Sequence, residues 1–351
     1  MKMKNSKNAA IKKNIKASPD TFSEPKNIKF TKDLVIHCSL FLGNSFCLIK
    51  SFNDILFLVY VKYPNYIIFF NLKNDEMTSI IKNAHSKEIA ILKYYKDIKN
   101  KRDLLLTSSS DSIKLWNLNN LENFFFLNFK DPNILILKSC FLKTKNDIFI
   151  AIKLAQKNDI FKEESIQIYN LKKEKIKVIK DENSKDSSCC FDSYYHKNIS
   201  YLILCNKKCI KVYNYNKSKW TIYYTGNENE YIQNFIIINN GNTLKMIGSS
   251  FDNIYLWNFQ SGNLLNTFKG GTRRNSFFGV CLWNNDGFFI GHGKTIYLVK
   301  IKSDKLSVEK RLSGHKNYIP CIKKIILPIY GECLISQDND GIIKLWANNH
   351  K

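Results

Sequence analysis

The sequence predicts an all-β protein, seven four-stranded units closed into a ring as the blades of a β-propeller. Three observations carry this. A strand end recurs along the chain, at Phe70, Trp116, Tyr169, Tyr213, Trp257, Val299 and Trp346, with intervals of 46, 53, 44, 44, 42 and 47 residues. That spacing is the period of a four-stranded blade. Asn follows directly at Asn71, Asn117, Asn170, Asn214 and Asn258. The third is composition: 44% of the residues are hydrophobic, with 24 Phe and 18 Tyr, which supplies a large core and favours strands over helices.

The second copy shows the pattern of each unit. "IAILKYY" (Ile89 to Tyr95) alternates as a half-buried strand. "DLLLTSS" is a continuous apolar strand, and it brakes at Ser110-Asp111 in a tight turn. "SIKLWNL" and "ENFFFLNF" follow as third and fourth strands. The fifth copy repeats the order in "YIQNFIIIN", "TLKMIGSS", "NIYLWNF" and "NLLNTFKG". The third copy is longer, because "LAQKNDIFKEES" extends its second-to-third hairpin.

The seventh copy is short. Only "ANNHK" follows Trp346, too little for a fourth strand. An unpaired edge in a ring invites aggregation. The spare strand "IKFTKDLVI" (Ile28 to Ile36) precedes the first blade's own "FCLIK", so it is expected to close the ring inside the last blade. Residues 1–27 form a basic tail, with six Lys before the first acid, expected to lie outside the fold. Residues 28–351 then form one propeller domain.

The 351 residues carry a net charge of +24. That suggests a nucleic-acid binder. Against it, only Arg102, Arg273, Arg274 and Arg311 among 54 basic residues are arginine, the type best suited to base readout and bidentate phosphate contact. The lysines are also spread along the chain rather than clustered. "MKMKNSKNAAIKKNIK" has no apolar core of a signal peptide, and runs such as "ILFLVYV" are far shorter than the ~18 residues of a membrane helix. Ten cysteines show no disulfide framework. Cys205 and Cys209 lack a second pair at ligand spacing, so they read as free thiols rather than zinc ligands. These points lead to an expectation of a reducing compartment, cytoplasm or nucleus, with no membrane, metal or cofactor.

The repeated strand end, with Gly314-His315 in "SGHKNYI" and His85 in "NAHSKEI", resembles the WD-repeat (WD40) β-propeller family. Asn takes the place of the family's Asp after tryptophan. The resemblance implies a hydrogen-bonded tetrad in each well-kept blade. By position it falls on His85, Thr107, Asp111 and Trp116, and on His315, Ser336, Asp340 and Trp346. These types suit such a relay: indole N–H only donates, hydroxyl does both, neutral imidazole bridges and carboxylate accepts. The fifth copy has Gly248 where the hydroxyl belongs and no matching His.

His85, Asp111 and Thr107 also contain the residue types of a catalytic triad. Their family positions make them a blade clasp instead. "GFFIGHGKT" (Gly287 to Thr295) approaches a phosphate loop, but its spacing is one residue too long and it leads into a strand. The function that remains is a non-enzymatic interaction scaffold for protein partners. A nucleic-acid or ribonucleoprotein-associated propeller is the runner-up, and a ubiquitin-ligase adaptor ranks last. Such a scaffold is expected as a monomer or as part of a larger complex. The partner-binding candidates lie in loops of the face that carries the histidines. They are Arg273 and Arg274 in "GGTRRNS", with Lys87, Phe251, Asn317 and Tyr318 in or beside equivalent loops. Two adjacent arginines in a Gly-flanked loop suit an acidic partner.

Overall fold

The structure is a computed structural model. It describes residues 28–34, 46–62, 65–156, 165–180, 190–205, 209–226, 232–241, 243–270, 277–328 and 330–348. Every element is a strand, and among the described residues the strands fall into seven four-stranded sheets. Blade 1 comprises β2 (Phe46–Lys50), β3 (Leu56–Lys62), β4 (Tyr66–Asn71) and β5 (Glu76–Ile81). Blade 2 comprises β6 (Ile91–Asp97), β7 (Arg102–Ser108), β8 (Ser112–Asn117) and β9 (Glu122–Asn128). In blade 3 these are β10 (Ile134–Lys143), β11 (Ile148–Gln156), β12 (Ser165–Tyr169) and β13 (Lys175–Lys180). In blade 4 they are β14 (Cys190–His196), β15 (Ile199–Cys205), β16 (Cys209–Asn214) and β17 (Lys219–Thr225). Blade 5 contains β18 (Asn234–Asn239), β19 (Leu244–Ser249), β20 (Asn253–Asn258) and β21 (Leu264–Lys269). Blade 6 contains β22 (Phe277–Asn284), β23 (Gly287–His292), β24 (Thr295–Lys302) and β25 (Lys305–Ser313).

The last sheet holds β26 (Cys321–Leu327), β27 (Gly331–Gln337) and β28 (Ile343–Asn348), with β1 (Ile28–Leu34) beside β28. The β1–β28 pairing is antiparallel, from Ile28 opposite Asn348 to Leu34 opposite Ile343. The segment "GFFIGHGKT" is the β23–β24 hairpin of blade 6. Most of the long insertion between β11 and β12 lies outside the described residues.

Antiparallel pairing reverses the chain at every connection. The first-to-second and third-to-fourth turns of each blade therefore open on one face, here the lower. The second-to-third turns and the blade-to-blade loops open on the upper. First strands of neighbouring blades touch, as β10 does β14 and β22 does β26, so they line the ring axis.

The core lies between blades rather than at one centre. Second and third strands are apolar on both faces, because each blade is packed on both sides. In blade 2, Leu105 faces the cluster with Val59 and Phe69 of blade 1. Leu104 and Leu106 face Ile150 and Ile152 of blade 3. The same layering joins blade 7 to blade 1, where Ile335 and Leu345 pack with Phe46 and Leu58. Each such fully buried side chain contributes about 1.5–3 kcal/mol, so the ring is held by its layers of apolar contact.

Candidate partner-binding face

The upper face is built on buried polar relays. In blade 2, Thr107 is the last residue but one of β7, and the turn to β8 returns the chain within a few residues, bringing Trp116 back beside it. The indole Nε1 donates to Thr107 Oγ1 at 2.9 Å. His85 arrives from the blade 1–2 loop, with Nε2 2.7 Å from Thr107 Oγ1 and Nδ1 2.8 Å from Ser112 Oγ. Ser112 Oγ lies 2.8 Å from Ser109 Oγ, and Ser109 donates to Asp111 Oδ1 at 2.7 Å. One proton direction satisfies the whole chain: Trp116 to Thr107, to His85 Nε2, from Nδ1–H to Ser112, to Ser109, to Asp111.

Asp111, a tetrad member by position, does not meet His85 directly. Ser112 holds that seat, and the carboxylate ends the relay two hydroxyls further on. The short turn places Asp111 at its outer edge, where it also accepts from Ser86 of the incoming loop at 3.3 Å. A neutral ring fits this relay. A second ring proton would meet a Thr107 hydroxyl that already accepts from the indole. Burial, with nearby Lys114, accordingly lowers the His85 pKa from 6.5 to about 3. Thr107 is fully buried and its oxygen is used on both sides, so this constellation offers solvent no nucleophile.

Blade 7 solves the same problem more directly. Trp346 Nε1 donates to Ser336 Oγ at 2.7 Å, and His315 Nε2 lies 2.6 Å from that oxygen. His315 Nδ1 meets a carboxylate at 3.0 Å, but it belongs to Asp338, not Asp340. Asp338 follows β27 directly and points inward. Its second oxygen accepts from the Asp340 and Ile342 amides, which folds the turn around it. Asp340 sits at the tip and accepts from Asn317 Nδ2 at 3.0 Å. This turn is a residue longer than that of blade 2, so counting back from tryptophan selects the wrong acid.

Blade 5 keeps the tryptophan without the relay. Trp257 is fully buried and its Nε1 has no hydrogen-bond partner. Gly248 replaces the hydroxyl residue, and a Cβ there would lie 2.6 Å from Trp257 Cζ3. The indole has moved into the vacant space and stacks on Tyr255, at 5.2 Å and 21°.

By strand connectivity, Lys87, Phe251, Asn317 and Tyr318 fall on the upper face. Lys87 is exposed in the loop between β5 and β6, and its charge helps hold the Asp111 pKa down. Phe251 is half-buried in the β19–β20 turn. Asn317 and Tyr318 are half-buried in the β25–β26 loop, where the Tyr318 carbonyl accepts from the Asn339 amide at 2.9 Å. The structure therefore distributes these four around one face. Arg273 and Arg274 lie outside the described residues. The flanking Gly270 is described, and its carbonyl lies 2.9 Å from His292 Nε2 on the neighbouring blade.

Sequence reading missed Ser109, Ser112 and Asp338 as relay members. The available signal was local: hydroxyls on both sides of Asp111, and an acid two residues after Ser336.

No family model matches the chain, and no curated protein matches it in sequence. Solved structures do match. The mitotic checkpoint complex contains a chain that aligns with a TM-score of 0.70 at 12% identity, over 98% of this chain and 99% of that one. BBS1N in complex with ARL6DN, soaked with lead, aligns with a TM-score of 0.69 at 8% identity, over 93% of this chain and 98% of that one. At these identities the likeness establishes the fold: this is a seven-bladed β-propeller that matches WD40 proteins in structure.

Proposed function

We propose that this WD40-like propeller is a non-enzymatic scaffold that binds a protein partner on its upper face. The observation that carries the reading is how that face is held. Buried relays tie His85 and His315 to the second-to-third turns of their blades. Outer links add Ser86 to Asp111 and Asn317 to Asp340. Loops fixed in this way present their side chains with little ordering cost on association. The structural neighbours, both solved in complexes, agree with protein partners.

Within this reading Arg273 and Arg274 are the anchor for acidic groups. Their support is compositional, since the chain uses Lys almost everywhere else. Phe251 and Tyr318 are their companions. The test is affinity purification of the full chain from its native cell beside an Arg273→Ala/Arg274→Ala variant, at two salt concentrations. The variant is expected to keep its melting temperature and lose co-purifying proteins. An unchanged partner list overturns the assignment. Co-purifying RNA that falls steeply with salt in both chains would favour the ribonucleoprotein reading.

The same reading makes β1 the clasp of the ring. Its antiparallel register with β28 supports this, because the pairing covers what would otherwise be the outer edge of blade 7.

A further inference from the structure

The lower face carries a surface of another kind. Two clefts open side by side across blades 2, 3 and 4. The first has a volume of about 600 Å³ and is lined by Lys96, Lys99, Lys143, Lys145 and Lys172 among others. The second, about 390 Å³, shares the Thr144–Asp147 turn as its wall and adds Lys177 and Tyr215. The six lysines face two acids in these walls, Asp97 and Asp147. Asp97 is buried and already bound to Arg102 Nη2 at 2.8 Å and to Asn100 Nδ2 at 2.8 Å. The clefts are therefore strongly positive.

The aromatic rings of this face decide what kind of anion fits. Lys143 Nζ lies over Tyr195 at 4.9 Å, Lys177 Nζ lies over Tyr215 at 5.4 Å, and Lys96 Nζ lies over Phe52 at 4.4 Å. Phe149 and Tyr215 pack on each other at 6.1 Å. Single-stranded nucleic acid is gripped by bases stacking on free ring faces. Here Tyr195, Tyr215 and Phe52 each already carry an ammonium group over one face, and Phe149 packs against Tyr215. The surface offers clustered positive charge first and rings second, which matches carboxylates. One narrow turn between two clefts suits an extended chain laid across it.

We propose that the lower face of blades 2 to 4 binds an acidic peptide segment of a protein partner, with Lys99, Lys145 and Lys172 meeting its carboxylates. The site is independent of the upper-face reading, which the Arg273→Ala/Arg274→Ala variant tests. The probe is a fluorescein-labelled peptide of alternating Glu and Gly, titrated with the full chain by anisotropy at low salt and at about 0.15 M salt. Wild-type protein binds it, more weakly at the higher salt. Lys145→Glu/Lys172→Glu changes two exposed turn residues and is expected to weaken binding by about tenfold or more. Lys130→Glu, in the exposed β9–β10 loop of the upper face, binds as wild type. If the double reversal melts low, Lys145→Gln/Lys172→Gln replaces it, with a smaller loss in the same direction. Three results overturn the proposal. One is unchanged binding by the double variant. Another is an equal loss in Lys130→Glu, which would mean diffuse charge alone. The third is an oligo-uridine RNA that binds at least as tightly and loses as much in the double variant, which would make this a nucleic-acid surface.

Discussion

Replacing His85 with Gln tests the relay of blade 2 through its pH dependence. The ring is buried and neutral in the fold, with its pKa lowered from 6.5 to about 3. In the unfolded chain it titrates near its ordinary value. Between those two values the unfolded chain takes up a proton that the folded chain refuses. Stability from this residue is therefore full above about pH 6.5, falls as pH falls below it, and levels out below about 3. At pH 5 the loss is about 1.36 kcal/mol for each of roughly 1.5 units below the unfolded pKa, or about 2 kcal/mol. At about 2.1 cal/mol/K per residue over roughly 320 residues, that is about 3 °C in melting temperature. His85→Gln removes the titration while costing about 1–3 kcal/mol at pH 7 through the relay bonds it breaks. The assay is thermal melting of both chains at pH 7 and pH 5, followed by circular dichroism. The gap between them is expected to shrink by about 3 °C on acidification, because other titrations are common to both chains. A gap that stays constant would mean that the ring titrates in the fold as it does in the unfolded chain, and a gap that widens would mean that the fold holds it protonated. The direction assigned to the relay would then be wrong.

Three further outcomes follow from the same geometry. Asp338→Asn is expected to cost about 1.5–3 kcal/mol through its charged hydrogen bonds, while Asp340→Asn stays within about 0.5 kcal/mol; equal costs in denaturant melts would restore Asp340 to the relay. Gly248→Ser is expected to destabilise by about 1–3 kcal/mol, because its Cβ meets Trp257, and a gain in stability would show the indole free to swing back to the new hydroxyl. Deleting residues 1–26 is expected to leave the melting temperature unchanged, and deleting 1–38 to lower it and cause aggregation measured by light scattering; identical behaviour would refute β1 as the clasp.

The ring was legible in the sequence because each blade repeats one physical solution. A strand buried on both sides needs an unbroken apolar run, as in "DLLLTSS". The next strand must return through a tight turn, and its bulky end residue must find a partner. That pattern survives when single copies decay, which is why Val299 could be placed beside Trp346 by interval alone. The relays were less legible. Tryptophan, histidine and the strand-end hydroxyl are scarce or fixed by the strand register, so Thr107 and Ser336 could be found by counting. The acid sits in a turn whose length varies by a residue. Its role depends on which side chain points inward, and nothing in the spacing separates Asp338 from Asp340. Hydroxyls extending the relay in blade 2 were hidden for a different reason. Serine is common in any turn, and only the fold brings Ser109, Ser112 and His85 within reach.

Charge shows the same limit most clearly. Lysines spread evenly along a chain read as solvated surface, and the lower-face set at Lys96, Lys99, Lys143, Lys145, Lys172 and Lys177 has no sequence signature. Three blades bring it together through turns that lie far apart in the chain. Other lysines are only partly exposed and turn their charge inward. Lys93 on β6 reaches Asp192 on β14, two blades away beside the ring axis, with Nζ to Oδ2 at 2.5 Å. Burial opposes its charge, yet the carboxylate outweighs burial and holds its pKa up at about 12. Lys324 lies over the Trp283 ring at 4.6 Å and donates to that residue's carbonyl at 2.7 Å. A long apolar stem with a charged tip can fill space between blades and still find an acceptor at its end. A chain that uses lysine so freely therefore spends part of its net charge on internal ties. The positive field that a partner meets comes from the remainder, and on the lower face converging blade turns gather six of these lysines.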